Sequence, residues 1–180
     1  DTMPLASRAL LQVAEQEHVW DGGFTPGSQI RLSVPEPRDG ASIGDDYAVL
    51  VNGEVVSGRR ALTEKVTVDG HAFSYTVDAG GFWQMHRYAP IALTGHVMSL
   101  VRAELDGAAS ACLWDLYSGS GLFTLPLATL SAERTRMLSV EGGRTAVKNA
   151  QRNLRTIHLG NVDARVGDVA KTLANVRNDL

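Results

Sequence analysis

Two glycines one residue apart, Gly119 and Gly121, follow an apolar run that holds a single acid, Asp115. Glycine has no Cβ, so such a pair lets the backbone bend sharply and lets a ligand approach the main chain closely. In sheets of parallel strands, ligands bind where a strand ends and the next helix begins. The pair therefore predicts a ligand-binding turn, with a turn that holds no ligand as the alternative.

Acids stand at the ends of the next two predicted strands. Glu141 follows Gly121 by 20 positions and could accept hydrogen bonds from both hydroxyls of a ribose. Asp168 ends the third strand and could accept one from an adenine amino group. Each has a structural alternative, since Glu141 could be a solvated residue opening a helix and Asp168 could cap one. Together, on consecutive strands, the two acids favour a nucleoside site.

The turn lacks the features of a dinucleotide site. Such a fingerprint needs a third glycine three residues after the second, and Thr124 stands there. The large side chains of Leu122 and Phe123 also crowd the place where a pyrophosphate would meet a helix end. S-adenosylmethionine carries ribose and adenine but no phosphate, so it fits the pattern better.

Strands and helices that alternate in the second half of the chain position these residues. This order predicts an α/β fold with a parallel sheet and right-handed crossovers. The first helix has proline in its first turn, and its predicted buried residues are Leu93, Val97, Leu100, Val101 and Leu105. The predicted elements are a helix over 90–105, a strand over 111–116, a helix over 122–130, a strand over 136–141, a helix over 144–155, a strand over 162–168 and a helix over 169–177.

The first 80 residues have a different pattern. A helix is predicted over 3–20, and its apolar stripe consists of Leu5, Ala9, Val13, Ala14 and Trp20. Short β-rich runs follow between 30 and 77, and Asn52-Gly53 between two of them predicts a tight hairpin. We therefore predict part of an α+β domain with an antiparallel sheet over 1–80, and a cofactor domain over 81–180.

The motifs "FWQMH", "DLYSGSGLF" and "SVEGGRTAVKNAQRNL" resemble those of the RNA 5-methyluridine methyltransferase family. The likeness runs from about Phe73 to Asp168. It implies the first half of a Rossmann-like class I methyltransferase fold, S-adenosylmethionine as cofactor, and a central domain that helps to bind RNA within residues 1–80. It also implies a set of residues at the cofactor: Gln84, Tyr117, Gly119, Gly121, Leu122 (where some members have Asn), Glu141 and Asp168.

The resemblance further implies methylation of carbon 5 of a uridine in rRNA or tRNA. In that mechanism a cysteine thiolate attacks carbon 6 of uracil, and a general base later removes the proton from carbon 5. Both groups belong to a segment expected after Leu180, so no catalytic residue is assigned, and we expect this chain alone to be an inactive fragment. Cys112 is predicted to be an inert thiol buried in a central strand.

Composition limits how the chain could bind RNA, a metal ion or a membrane. With 17 basic and 20 acidic residues the net charge is −3, so RNA contacts would need local groups, of which His86 and Arg87 are the candidates. The helix over 144–155 carries a stripe of basic residues that is expected to be a solvated face, namely Arg144, Lys148, Arg152 and Arg155. The single cysteine favours a reducing, cytoplasmic setting, and neither a metal site nor a membrane span is expected.

Two alternatives remain open at this point. One is an S-adenosylmethionine-dependent methyltransferase that acts on another RNA base or on a small molecule. The other is a non-catalytic RNA-binding module that keeps a vestigial cofactor fold.

Overall fold

The computed structural model describes residues 3–35, 42–130 and 132–176. The chain forms two compact units. The first runs to Glu64 and includes Asp78–Phe82, and the second consists of Lys65–Val77 and the chain from Trp83 onward. Residues Lys65–Val77, grouped with the first 80 residues in the sequence analysis, therefore lie in the second unit.

The helix of the first unit, α1, spans Arg8–Gln16 and is shorter than predicted. Its first turn is capped by the Ser7 hydroxyl, which accepts a hydrogen bond from the Leu10 N–H at 3.2 Å. His18 adopts a φ of 54°, which interrupts the helix and leads into a short 3₁₀ turn at Val19–Asp21. The middle of the predicted stripe is buried, whereas Leu5 and Trp20, which lie beyond the helix ends, are exposed.

Three antiparallel strands follow, β1 (Ile30–Ser33), β2 (Ala48–Val51) and β3 (Glu54–Gly58), in the order β1-β2-β3. The predicted hairpin is confirmed, because Asn52 and Gly53 connect β2 to β3 with φ values of 52° and 86°. Positive φ at both central residues is what a type I′ turn, a common two-residue hairpin connection, requires.

A second pair of strands, β4 (Ala61–Val68) and β5 (His71–Asp78), leads from the first unit to the second. Asp69 and Gly70 connect them, both with positive φ, and a two-residue connection joins antiparallel strands. Phe73, Tyr75 and Val77 alternate with more exposed residues along β5, so this strand buries one face.

Helix α2, Ala89–Leu105, has nearly its predicted bounds, but its buried side overlaps the predicted one only in part, since Val97, Val101 and Leu105 are half-buried. The fully buried residues are Pro90, Thr94 and Met98, whereas the predicted core residues Leu93 and Leu100 are 41% and 55% exposed. Apolar residues occur all around this helix, so their spacing did not identify the packed side. The contact with β4 identifies the packed side, because a Cβ added at Gly95 would lie 3.6 Å from Val68.

The parallel sheet has the order β6-β7-β8, with strands β6 (Ala111–Leu116), β7 (Thr135–Glu141) and β8 (Val162–Val166). Helices lie on both of its faces, and they are α3 (Thr124–Thr129), α4 (Arg144–Thr156) and α5 (Val169–Val176). On one face Thr124 at the start of α3 contacts Asp115 and Ser139, and on the other α5 packs against Leu138 and Val140. The predicted order of elements is confirmed, although residue 177, the predicted end of the last helix, lies outside the described residues.

The prediction that Cys112 is buried was wrong, because its side chain is exposed. Cys112, Trp114 and Leu116 alternate onto the face of β6 that α5 partly covers. Leu116 packs against the cluster beneath α5, whereas Cys112 lies four residues earlier on an uncovered stretch of the strand. The Trp114 indole N–H donates a hydrogen bond to the Cys112 Sγ at 3.3 Å.

Candidate functional site

The turn after β6 has a backbone that depends on its glycines. Gly119 and Gly121 have φ values of 56° and 91°, in the left-handed region that glycine adopts without steric cost. No atom lies within 4 Å of the place where a Cβ on Gly119 would stand, whereas a Cβ on Gly121 would lie 3.0 Å from Leu125 Cδ1. Gly119 therefore borders open space, and Gly121 permits close packing of α3 beneath the turn.

Glu141, the last residue of β7, contacts the same turn. Its Oε2 accepts a hydrogen bond from the Gly119 N–H at 3.1 Å, and its Oε1 accepts one from the Gly143 N–H at 2.7 Å. Each carboxylate oxygen can accept two hydrogen bonds, so one position on each oxygen is left for a further donor. The carboxylate is thus oriented by the protein and retains acceptor capacity for two hydroxyls.

Asp168 lies at the same end of the sheet. Glu141 pairs with Val166 across the β7–β8 ladder, and the Gly167 N–H donates to the Glu141 carbonyl at 3.0 Å. The Asp168 Oδ1 accepts a hydrogen bond from the Lys171 N–H at 2.9 Å, as a helix-capping side chain does. Asp168 therefore caps α5, which was the structural alternative for this residue. A contact with adenine would use its remaining acceptor positions.

The other predicted cofactor residues lie on both sides of the turn. Tyr117, with a φ of 62°, is 77% exposed, whereas the Leu122 side chain is buried. The Tyr75 hydroxyl donates to the Leu122 carbonyl at 3.1 Å, and the Tyr75 ring lies 5.3 Å from that of Trp83. This contact ties the segment that carries the half-buried Gln84 to the turn. Whether these side chains contact a cofactor stays a prediction.

A buried polar chain beneath the turn was not foreseen as part of the site. The Thr124 hydroxyl donates to Asp115 Oδ2 at 2.5 Å and lies 3.3 Å from the Ser139 hydroxyl, which donates to Ser118 at 2.8 Å. Burial raises the pKa of Asp115, and hydrogen bonds from the Thr124 side chain and backbone act in the opposite direction. The one acid in an apolar strand was the signal for this chain of groups.

Asn153 on α4 is a second residue that the sequence reasoning missed. It is 1% exposed, and its amide nitrogen donates to the carbonyl oxygens of Thr76 and Ser120, each at 3.1 Å. Its Oδ1 accepts a hydrogen bond from the Thr76 N–H at 2.7 Å. Asn153 therefore links α4, β5 and the glycine turn. Asn153 stands among the four basic residues of the stripe on α4, and their side chains are exposed. The sequence pattern around it therefore indicates a solvated face and not a buried amide.

Within the described ranges 3–35, 42–130 and 132–176, no group of three or more His, Cys, Asp or Glu side chains is placed to hold a metal ion. In that part of the chain there is also no helix with the length and apolar character needed to cross a bilayer.

Comparison with known sequences identifies related proteins. The model of the family described as tRNA (Uracil-5-)-methyltransferase matches residues 52–177. A Bifidobacterium longum protein named as an uncharacterized RNA methyltransferase is 67% identical over 180 residues, which are 98% of this chain and 41% of that protein. The 23S rRNA (uracil(1939)-C(5))-methyltransferase of Methylococcus capsulatus is 32% identical over 122 residues, 63% of this chain and 26% of the relative. The chain thus spans less than half the length of these relatives.

A solved structure shares the fold. The T. thermophilus 16S rRNA N2 G1207 methyltransferase, solved with AdoMet and guanosine, superposes with a TM-score of 0.51 at 17% sequence identity. The superposition covers 91% of this chain and 40% of that one. The chain therefore has the α/β fold of that methyltransferase, as the family resemblance implies.

Proposed function

Because the chain belongs to the tRNA (uracil-5-)-methyltransferase family, we propose that its second unit binds S-adenosylmethionine and that the whole protein methylates carbon 5 of a uridine in RNA. The family description names tRNA and the M. capsulatus relative acts on 23S rRNA, so either class is a candidate substrate. A cytoplasmic location is part of the proposal, and the free thiol of Cys112 is compatible with a reducing compartment.

The orientation of Glu141 is the observation that carries the cofactor proposal. Hydrogen bonds from Gly119 and Gly143 hold its carboxylate at the end of β7, and both oxygens keep an acceptor position. A ribose presents two neighbouring hydroxyl donors, which match two acceptor positions on one carboxylate. Hydrogen bonds to a charged acceptor are the stronger ones in proteins, so this contact would supply much of the affinity.

The residues around the turn fit the rest of the cofactor. The open space beside Gly119 would admit the nucleoside, and the exposed Tyr117 ring offers an apolar surface along it. Gln84 and Asp168 offer polar groups, and the Leu122 backbone shapes the turn through its bond with Tyr75. When bound, S-adenosylmethionine supplies the methyl group on a sulfonium. This chain's residues bind and orient it.

The remaining functional assignments are also part of the proposal. Residues 1–80 are proposed to help bind RNA. The thiolate that attacks carbon 6 of uracil and the general base are not assigned to any residue of this chain. A non-catalytic module is the alternative from another class, and methyl transfer to RNA by the whole protein would exclude it.

Calorimetric titration with S-adenosylmethionine and S-adenosylhomocysteine tests the cofactor proposal. Loss of a hydrogen-bonded charge costs about 1.5–3 kcal/mol, so we expect Glu141→Gln and Glu141→Ala to weaken binding roughly 10- to 100-fold. Glu133→Gln is the matched control, since Glu133 is exposed and precedes β7 at the opposite end of that strand. It should bind like the wild type.

Competition with nucleosides tests the ribose contact itself. The wild type should prefer adenosine to 2′,3′-dideoxyadenosine, and Glu141→Ala should lose that preference. Equal affinity of the wild type and Glu141→Ala for all these ligands would remove Glu141 from the site and contradict the proposal.

A further inference from the structure

An exposed cluster of a cation and two rings precedes α2, and it has no part in the cofactor contacts described above. The Arg87 guanidinium carbon lies 5.0 Å from the centre of the Tyr88 ring. The His86 and Tyr88 rings are 5.8 Å apart with their planes at 51°. The Tyr88 N–H donates to His86 Nδ1 at 3.3 Å.

The cluster is exposed to solvent, although aromatic side chains are usually at least partly buried. Tyr88 is 59% exposed, and Met85, His86 and Arg87 are exposed as well. The His86 and Tyr88 rings thus contact each other, and the guanidinium lies over the Tyr88 ring, whose exposed part leaves surface open for stacking. A surface of this kind offers planar faces beside a positive charge.

Trp83 anchors the segment near the glycine turn. Its ring contacts Tyr75, whose hydroxyl bonds the Leu122 carbonyl. Tyr88 follows Trp83 by five positions, and five residues of extended chain span at most about 18 Å. The Cα atoms of Trp83 and Tyr88 are therefore no further apart than that, so the cluster lies in the neighbourhood of the segment that Tyr75 connects to the glycine turn.

We propose that His86, Arg87 and Tyr88 bind single-stranded RNA, with an unpaired base stacked on Tyr88 and a neighbouring phosphate held by Arg87. This inference rests on the proposed function, since it names the contact through which the RNA substrate is held near the cofactor. Unpaired bases stack on aromatic rings and on guanidinium planes, whereas paired bases in a duplex do not present their faces. With a net charge of −3 for the chain, a local contact of this kind is what RNA binding requires.

Fluorescence anisotropy with a labelled single-stranded oligouridine of about 12 nucleotides tests the proposal. Tyr88→Ala should weaken binding about 5- to 100-fold, and Tyr88→Phe, which keeps the ring, should bind like the wild type. Arg87→Gln should also weaken binding and reduce the slope of log affinity against log salt by about 0.7. The controls are Leu100→Ala, an exposed apolar residue near the other end of α2, and Arg144→Gln, an exposed cation on α4.

Titration of the same variants with S-adenosylhomocysteine separates this inference from the proposed function. Normal cofactor binding with wild-type RNA affinity in Tyr88→Ala would overturn the inference and leave the cofactor proposal standing. RNA binding that depends on Tyr88 in a chain that binds no cofactor would support the inference and contradict the cofactor proposal. A wild type that does not bind the oligonucleotide, or that binds duplex RNA equally well, would overturn the inference.

Discussion

Asn153 on α4 satisfies both backbone hydrogen-bonding groups of Thr76 on β5, which stands 77 positions earlier in the chain. Its Oδ1 accepts from the Thr76 N–H at 2.7 Å, and its amide nitrogen donates to the Thr76 carbonyl at 3.1 Å. The same nitrogen donates to the Ser120 carbonyl inside the glycine turn. One buried amide therefore connects strand β5, helix α4 and the glycine turn that is proposed to bind the cofactor.

We expect Asn153→Ala to lower the free energy of unfolding by about 2–4 kcal/mol, because it leaves buried backbone groups without partners and opens a cavity. Urea denaturation measures the change. Arg152→Ala, on the exposed side of the same helix, should change stability by less than about 0.5 kcal/mol. Similar effects of the two substitutions would show that the amide contributes little.

The two glycines of the turn should respond differently to substitution. Gly121→Ala should destabilise the fold, because a Cβ there would lie 3.0 Å from Leu125 Cδ1 and the φ of 91° disfavours any side chain. Gly119→Asn should cost less stability, since asparagine tolerates a left-handed φ and no atom lies within 4 Å. It should nevertheless weaken S-adenosylhomocysteine binding by filling the open space. Thermal unfolding and calorimetry measure the two effects, and unchanged affinity in Gly119→Asn would contradict our placement of the nucleoside.

Stability should depend on pH through Asp115. Burial raises the pKa of this carboxyl above its usual 3.8, so between that value and the raised pKa the folded chain holds a proton that the unfolded chain has released. The contribution of Asp115 to the free energy of unfolding is therefore largest below about pH 3.8, and it falls as the pH rises through the window.

Thr124→Val removes a hydrogen bond that stabilises the charged carboxylate, so it should raise the pKa of Asp115 further. We expect the destabilisation caused by Thr124→Val to grow between about pH 4 and pH 7. Urea denaturation at several pH values measures it, and in the Asp115→Asn background the pH dependence of the effect should disappear. A constant effect of Thr124→Val in both backgrounds would contradict the role given to this pair.

Cys112 should react with a thiol reagent in the folded chain, because its side chain is exposed. Cys112→Ser should change the free energy of unfolding by less than about 0.5 kcal/mol and leave cofactor affinity unchanged. Spectrophotometric thiol titration of the native and urea-unfolded chain makes the comparison. Reaction only after unfolding would show that the thiol is buried, as the sequence predicted, and would contradict its exposure in the structure.

Local patterns in the sequence were sufficient for the order of elements and the position of the turn. The strand over 111–116 was predicted with its observed bounds, and Asn52-Gly53 forms the predicted hairpin. These features depend on short-range preferences, namely alternation along a strand, glycine at a positive φ, and strands that alternate with helices. The family resemblance was confirmed by the family match, whereas the cofactor contacts of the proposed site residues stay predictions.

The tertiary structure alone decided which sides of these elements are packed and how the site is supported. Contact with a distant hairpin selected the buried side of α2, and α5 covers only part of the face that carries Cys112. Asn153 and the Asp115–Thr124 pair act through partners 77 and 9 positions away, on different elements. Burial and hydrogen-bond partners of this kind depend on how separate segments pack together, and the periodicity of one segment carries no information about that packing.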